Sequence, residues 1–350
     1  MLSKFIKSVG PTPGKVTLDK QRGRSLMDAY SSRLESLNAL KNTAGKVRTV
    51  GFELEFSGIT FRDTARVVRD TFNGKVTDET AAEVCVKTDH GDFNVELDWD
   101  FLKTMAANAG KAVDELLHPL SKAAELLVPV EVVCPPLPVT SLHILDDLVE
   151  ALRKAGANGT EESLIAAYGV HINTEIPALD APTIHRYLRA FVLLQWWQVE
   201  ANDVNLARRI SPYIDLFEES YIKVLLTREA PDINTLIDDY LEHNPSRNRA
   251  LDMLPLFAEI DADRVRATVD DAKIKSRPTF HYRLPNCQID DPQWSLASSW
   301  IRWCRVEQLA NDDASLQQLG DEFLAADRPL IGVDRGAWVK RISRWLDDPT

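Results

Sequence analysis

Glu53 and Glu55 stand two residues apart in RTVGFELEFSG, with Phe52, Leu54 and Phe56 at the alternate positions. On an extended strand this pattern turns the apolar side chains to one side and both carboxylates to the other. The same interruption of apolar or β-branched runs recurs downstream: Glu96 in FNVELD, Glu131 in PVEVVC, His171 and Asn173 in YGVHINTEI, and His281 and Arg283 in TFHYRLP. A carboxylate set between valines is costly to desolvate unless an arginine or a metal ion meets it. Carboxylates joined by one or two imidazoles suit Mg²⁺ or Mn²⁺, whereas zinc takes more nitrogen or sulfur ligands. Magnesium in turn points to phosphate chemistry. Glu53 and Glu55 are spaced to bind neighbouring ions or to share one, and without a cation each raises the other's pKa. Glu53→Gln is therefore expected to leave stability unchanged or raised.

These side chains act together only if their strands share a sheet. Strands are predicted through GFELEF, at Glu83–Thr88 and Phe93–Asp98 on either side of a DHGD turn, through VPVEVVC up to Pro135 and Pro136, and through YGVHINTEIP and RPTFHYRLP. One face of such a sheet would gather Glu53, Glu55, Glu96, Glu131, His171 and His281 into a concave acidic site. Helices are predicted over Arg62–Phe72, capped by Asp63 and stopped by Gly74, over most of Phe101–Leu127, and from a Ser141 cap to Gly156. TIHRYLRAFVLLQWWQVEANDVN is apolar around most of its circumference, which predicts a helix buried on several sides, Trp196 and Trp197 included. Ser211 with Pro212 reads as a further helix start, PDINTLIDDYLEH as another helix, and the tail from Pro292 as helical. The pattern is that of one α+β domain in three stretches. Residues 1–46 form an N-terminal lead-in, helical near Ser25–Lys41 or partly disordered; residues 47–285 form the body; residues 286–350 form a helical extension packed on it.

The 53 acidic residues outnumber the 41 basic ones, for a net charge of −12, and this argues against a nucleic-acid footprint over the whole surface. MLSKFIKSVG has no apolar stretch of signal-peptide length and no apolar run reaches a membrane span, so the expectation is a cytoplasmic protein without a membrane partner. Cys85, Cys134, Cys287 and Cys304 form no C-x-x-C pair and are read as buried, reduced thiols. GPTPGKV falls short of a phosphate-binding P-loop, and no G-x-G-x-x-G occurs. Any nucleotide would then be held through metals and arginines.

The order GFELEF, a glutamate strand after TDHGD, PVEVVCPPLP, a helix, YGVHINTEIP and RPTFHYRLP resembles the amidoligase family, which is itself similar to the carboxylate-amine ligase fold of glutamine synthetase and glutamate-cysteine ligase. The likeness runs from about Val47 to Pro285. It implies a mostly antiparallel sheet with a concave acidic face, packed by helices, and an enzyme that uses ATP and Mg²⁺ to make an acyl phosphate, from which an amine displaces phosphate to form an amide. Its substrates would be a small-molecule or peptide carboxylate and an amine; a homo-oligomer is compatible with it. Glu53 and Glu55 match the first-strand metal glutamates, Glu96 and Glu131 the middle metal carboxylates, His171 the histidine of the G-x-H strand, and Arg283 the arginine of the last strand. Where the family carries glutamate two residues before that arginine, this chain has His281. An imidazole can bind Mg²⁺ or Mn²⁺ but brings no negative charge.

Phosphoryl transfer to a carboxylate needs metals to bridge phosphate oxygens and arginines to neutralise them. Arg208, Arg209, Arg247, Arg249, Arg277 and Arg283 are the candidates, with Arg247, Arg249 and Arg283 favoured and Asn173 beside the nucleotide. Asp89 and His90, in the turn before Glu96, would orient the amine or take its proton. A guanidino-kinase-like phosphotransferase would use much of the same site, and a catalytically idle nucleotide- or metal-binding scaffold is the third reading.

Overall fold

The computed structural model of the chain describes residues 34–35, 39–97, 129–160, 168–204 and 214–347. The helix expected over Phe101–Leu127, most of the lead-in helix, Arg208, Arg209 and the Ser211–Pro212 cap lie outside those residues.

Alternation of apolar and polar residues produces strands β1 (Thr49–Phe56), β3 (Glu83–Thr88), β4 (Gly91–Leu97), β5 (Val130–Val133), β7 (Val170–Glu175) and β9 (Thr279–Tyr282), within about three residues of their expected bounds. Three more were not foreseen: β2 (Lys75–Glu79), β6 (Leu137–Pro138) and β8 (Leu251–Asp252). All join one nine-stranded sheet in the order β2-β3-β4-β5-β1-β7-β9-β8, with β6 paired to β1. Every pairing is antiparallel. In β2 all five residues are exposed, so no apolar alternation marked it; its backbone pairing with β3 makes it a strand.

One face of the sheet is apolar. Phe52, Leu54, Phe93, Val132, Ile172 and Tyr282 are fully buried there, each contributing about 1.5–3 kcal/mol of burial free energy. Helices α1 (Phe61–Phe72), α2 (Leu145–Ala155), α3 (Ala181–Ala201), α4 (Glu219–Thr227), α5 (Ile233–His243), α6 (Leu254–Ile260), α7 (Ala262–Thr268), α8 (Leu296–Ala310), α9 (Asp313–Ala326) and α10 (Arg335–Asp347) complete the described elements. Helix α3 carries Tyr187 stacked on Phe280 with centroids 4.9 Å apart and Phe191 edge-on to Tyr282 at 5.9 Å. Trp303 of α8 packs on the same two strand residues, and α9 and α10 then cover α3. This burial on several sides matches the apolar circumference of the α3 sequence.

Two helix starts differ from expectation. Thr60, not Asp63, caps α1 by accepting the Asp63 amide, and Asn73, left-handed at φ 50°, ends it one residue before Gly74. Ser141 lies inside a 3-10 turn, Val139–Ile144, because the buried Val139 and Leu142 recur at the three-residue spacing of that turn. Gly156, at φ 99°, ends α2 as expected. The four cysteines are free thiols, three buried and Cys85 partly exposed beside Asn94 on the polar face.

The start of β1 is anchored by charge. Arg48, fully buried, pairs with the equally buried Glu307 of α8 at 2.8 Å. Trp303 Nε1 donates to the same carboxylate at 2.9 Å, and the Tyr187 hydroxyl donates to its other oxygen. Arg48 Nε and Nη1 donate to the carbonyls of Glu175 and Ala39, each at 2.6 Å. Burial works against the guanidinium, yet Glu307 and its neighbours raise its pKa above the usual range.

Candidate active site

Register sorts the polar face into three cross-strand rows. Glu83, Glu96, Glu131 and Glu55 form the first; Asn94, Val133, Glu53 and His171 the second; Gly51, Asn173, His281 and Asp252 the third. Neighbouring strands stand about 4.8 Å apart, so one face brings together all six side chains expected as metal ligands, with Asn173 among them.

Glu53 is the hub. Its Oε2 accepts from His171 Nδ1 at 2.8 Å and its Oε1 accepts from Asn173 Nδ2 at 2.8 Å. His281 Nε2 faces Oε2 at 3.7 Å. Burial pushes the Glu53 carboxyl up, but attraction to His281 and the bond from His171 outweigh it and hold the carboxyl well below its usual range. The expected rise from the repulsion of paired glutamates is therefore not found at Glu53. Glu55 has its own partner, the Gly169 amide, at 2.7 Å. Glu96 does titrate upward, through burial and the Glu83 charge across the strand pair, with Lys275 opposing.

The donor chemistry of the face fits divalent cations. His171 gives Nδ1–H to Glu53, and its Nε2 stands 3.5 Å from Glu55 Oε1. An imidazole nitrogen and a carboxylate oxygen so placed are a pair of donor atoms of the kind a divalent cation takes. His281 Nε2 is buried and has no hydrogen-bond partner among the described residues. Ligand atoms of Glu53, His171 and His281 lie within 4.8 Å of one another, as do those of Glu55, Glu131 and His171. Opposed ligands of a Mg²⁺ ion stand about 4.2 Å apart, from metal–oxygen distances of about 2.1 Å.

Beyond His281 the face turns basic. Arg283 donates to Asp252 at 3.2 Å, Arg277 donates to Asn173 Oδ1 at 2.9 Å, and Arg247 reaches Asp271 at 3.4 Å. All three guanidinium groups act electrostatically on Asp252, whose carboxyl burial nonetheless raises. Burial and Arg283 hold His281 well below the usual imidazole range, with Glu53 pulling the other way. Its ring is therefore uncharged near neutral pH.

Three expected residues sit apart from the hub. Arg249 donates to the carbonyls of Leu216 and His243, at 2.9 and 3.5 Å, and ties its loop to the 215 segment. Asp89 and His90 are exposed at the tip of the β3–β4 hairpin, beyond the Thr88–Gly91 pair, and His90 meets Phe72 edge-on. Asp252 is the residue that sequence reasoning missed. Its signal was present, a carboxylate between Leu251 and Met253 in RALDMLP, but β8 is two residues long and falls below any strand-length window.

The family model described as putative amidoligase enzyme matches residues 46–305. The chain belongs to that family, and with it to enzymes that form carbon–nitrogen bonds. A comparison with curated proteins finds no match.

Proposed function

We propose that the chain is an ATP- and Mg²⁺-dependent carboxylate-amine ligase that joins a small-molecule or peptide carboxylate to an amine through an acyl phosphate. The observation that carries this reading is the division of one sheet face: carboxylates and imidazoles on β4, β5, β1 and β7 meet arginines at Asn173 and His281. A carboxylate resists attack by an amine because it is anionic and its oxide leaves poorly. Phosphorylation removes both obstacles, and the charge that gathers on the phosphoryl oxygens must be neutralised.

Glu53 and His281 would hold one cation, with His171 donating its Nδ1–H to Glu53; Glu55, Glu131 and His171 Nε2 form the second donor set, with Glu96 beside Glu131. When bound, such cations would offset the negative charge of a phosphate; manganese suits the same donors. Arg283, Arg277 and Arg247 supply the fixed positive charge opposite. Asn173 joins the two halves, donating to Glu53 and accepting from Arg277. Its amide is thus engaged by protein on both atoms, and its role in nucleotide binding is to position those two residues. Arg249 orders the loop that carries Arg247.

The test is to intercept the acyl phosphate. Incubation with ATP, Mg²⁺, hydroxylamine and a panel of amino acids, short peptides and cell extract should yield ADP and a hydroxamate in equal amounts. Arg283→Ala should abolish both while the protein stays folded. ADP release that requires an added amine, gives a stable phosphorylated nitrogen and traps no acyl group would replace the ligase reading with a phosphotransferase.

A further inference from the structure

His281 lies between two arrangements, and the atoms around it say which proton distinguishes them. Its ring is 4% exposed, so its single N–H has to find a protein acceptor. On the Nε2 side stands Glu53 Oε2 at 3.7 Å. On the Nδ1 side stand Arg283 Nη2 at 3.4 Å and Asp252 Oδ2 at 3.8 Å, which are 3.2 Å from each other. The His171 ring packs edge-on with centroids 5.2 Å apart.

A guanidinium can only donate and a carboxylate can only accept. While Nε2 carries the hydrogen, it is directed at Glu53 and the Nδ1 lone pair accepts from Arg283. For Nε2 to present a lone pair to a cation shared with Glu53, the hydrogen must sit on Nδ1. Asp252 Oδ2, 3.8 Å from Nδ1 and so just beyond hydrogen-bond length, is then the acceptor that a small turn of the ring brings to it. Asp252 is fully buried and directly opposite His281 in register. Its Oδ1 is fixed by the Leu254 amide at 3.0 Å, which leaves Oδ2 turned to His281 and Arg283.

We infer that Asp252 is a positioning residue: it accepts the Nδ1 hydrogen of His281 and so turns Nε2 into a ligand for a cation shared with Glu53. The inference rests on the metal reading proposed above. The ring stays neutral throughout; one hydrogen leaves Nε2 and one arrives at Nδ1, so cation binding exchanges one tautomer for the other. Arg283 shares the Asp252 oxygen, which keeps the phosphate-facing charge and the metal-facing imidazole in a fixed mutual position. Carboxylates that orient a ligating histidine in this way change metal affinity by about 10- to 100-fold when removed.

The experiment reads the tautomer in the full-length chain labelled with ¹⁵N-histidine, assigned by His281→Gln and recorded at neutral pH with and without Mg²⁺. The expected spectrum has a protonated Nε2 in the metal-free protein and a protonated Nδ1 at Mg²⁺ saturation. Mn²⁺ affinity, followed by electron paramagnetic resonance, should fall about 10- to 100-fold in Asp252→Ala and less in Asp252→Asn, which keeps an acceptor oxygen. Nε2 still protonated at saturation, or Asp252→Ala binding Mn²⁺ as the wild type does, would overturn the inference while leaving Glu53 and His171 as ligands. Mn²⁺ binding unaffected by Glu53→Gln would overturn the metal reading itself, and this inference with it. If Asp252→Ala does not fold, the wild-type spectrum still decides between the two tautomers.

Discussion

Glu53→Gln separates two forces that oppose each other on the polar face. The substitution keeps the shape of the side chain and removes its charge. Counting like charges alone, it should relieve repulsion with Glu55 and Glu96. The carboxyl nevertheless titrates well below its usual range, because attraction to His281 and the bond from His171 outweigh burial, so the ionised form is favoured on balance. Two bonds of 2.8 Å, from His171 and Asn173, would pass from charge-assisted to neutral. Each such change costs about 1 kcal/mol. His171 recovers part of this by changing tautomer and accepting from the new amide, so the expected loss in metal-free protein is about 1–2 kcal/mol. Mg²⁺ at a hundredfold its dissociation constant would stabilise the wild type by about 2.7 kcal/mol. The gap between the two proteins should then widen by about 1.4 kcal/mol for each tenfold loss of affinity. Urea denaturation with chelator and with saturating Mg²⁺ measures both quantities. A variant more stable than wild type in chelator would show that repulsion governs Glu53 after all. Equal stabilisation of both proteins by Mg²⁺ would remove Glu53 from the metal site.

Three further outcomes follow from other parts of the molecule. Burial lowers the His185 pKa, outweighing its Nε2–H bond to the Leu225 carbonyl; the unfolded chain therefore binds the proton first, and stability is full above about pH 6.5 and falls by up to about 1.4 kcal/mol per unit below it. His185→Gln should flatten that part of the urea-stability profile between pH 7.5 and 5.5, and an unchanged slope would assign the effect elsewhere. Glu307→Gln leaves the fully buried Arg48 without its counter-charge and should cost about 3–5 kcal/mol by denaturant titration; a loss under 1 kcal/mol would mean that the carbonyls of Ala39 and Glu175 suffice. Arg277→Ala should lower ADP formation by about 10²-fold with little change in thermal midpoint, and full activity would confine Arg277 to holding Asn173.

What the sequence disclosed depended on the range of the force involved. Alternation in GFELEF and PVEVVC is a local record of which face meets the core, so the strands and the polar face they share could be read directly. The capping of α1 could not, because Thr60 and Asp63 both carry a side-chain oxygen able to accept a backbone N–H within one turn and only the backbone decides between them. Strand β2 escaped for a different reason: nothing on it packs, and its pairing with β3 is carried by backbone groups that every residue has. Asn173 was expected beside the nucleotide, but its bonds to Glu53 and Arg277 depend on partners 120 and 104 residues away in the chain. Arg249 and Arg247 share a loop and look alike in sequence, yet one faces the carbonyls behind it and the other Asp271. Residue type identified these groups as able to bind an anion; direction came from the fold.

The charge of the site also depends on where the carboxylates stand across the sheet. Position 281 carries an uncharged imidazole where a glutamate would place a negative charge beside Glu53, while the adjacent strand places Asp252 directly opposite it. A glutamate at 281 would face Arg283 from the metal side and leave Asp252 as a second buried anion within the same triangle of contacts. One guanidinium would then serve two carboxylates, at a desolvation cost that buried charges recover only with full pairing. His281 and Asp252 together avoid that cost: the histidine gives the cation a neutral donor, and the aspartate one strand away keeps Arg283 paired. On this reasoning His281→Glu and Asp252→Asn are coupled substitutions. His281→Glu alone should destabilise the protein by more than the double variant does, because the Asn removes the surplus charge. A double-mutant cycle of unfolding free energies measures the coupling, and strictly additive effects would show that the two positions do not share Arg283.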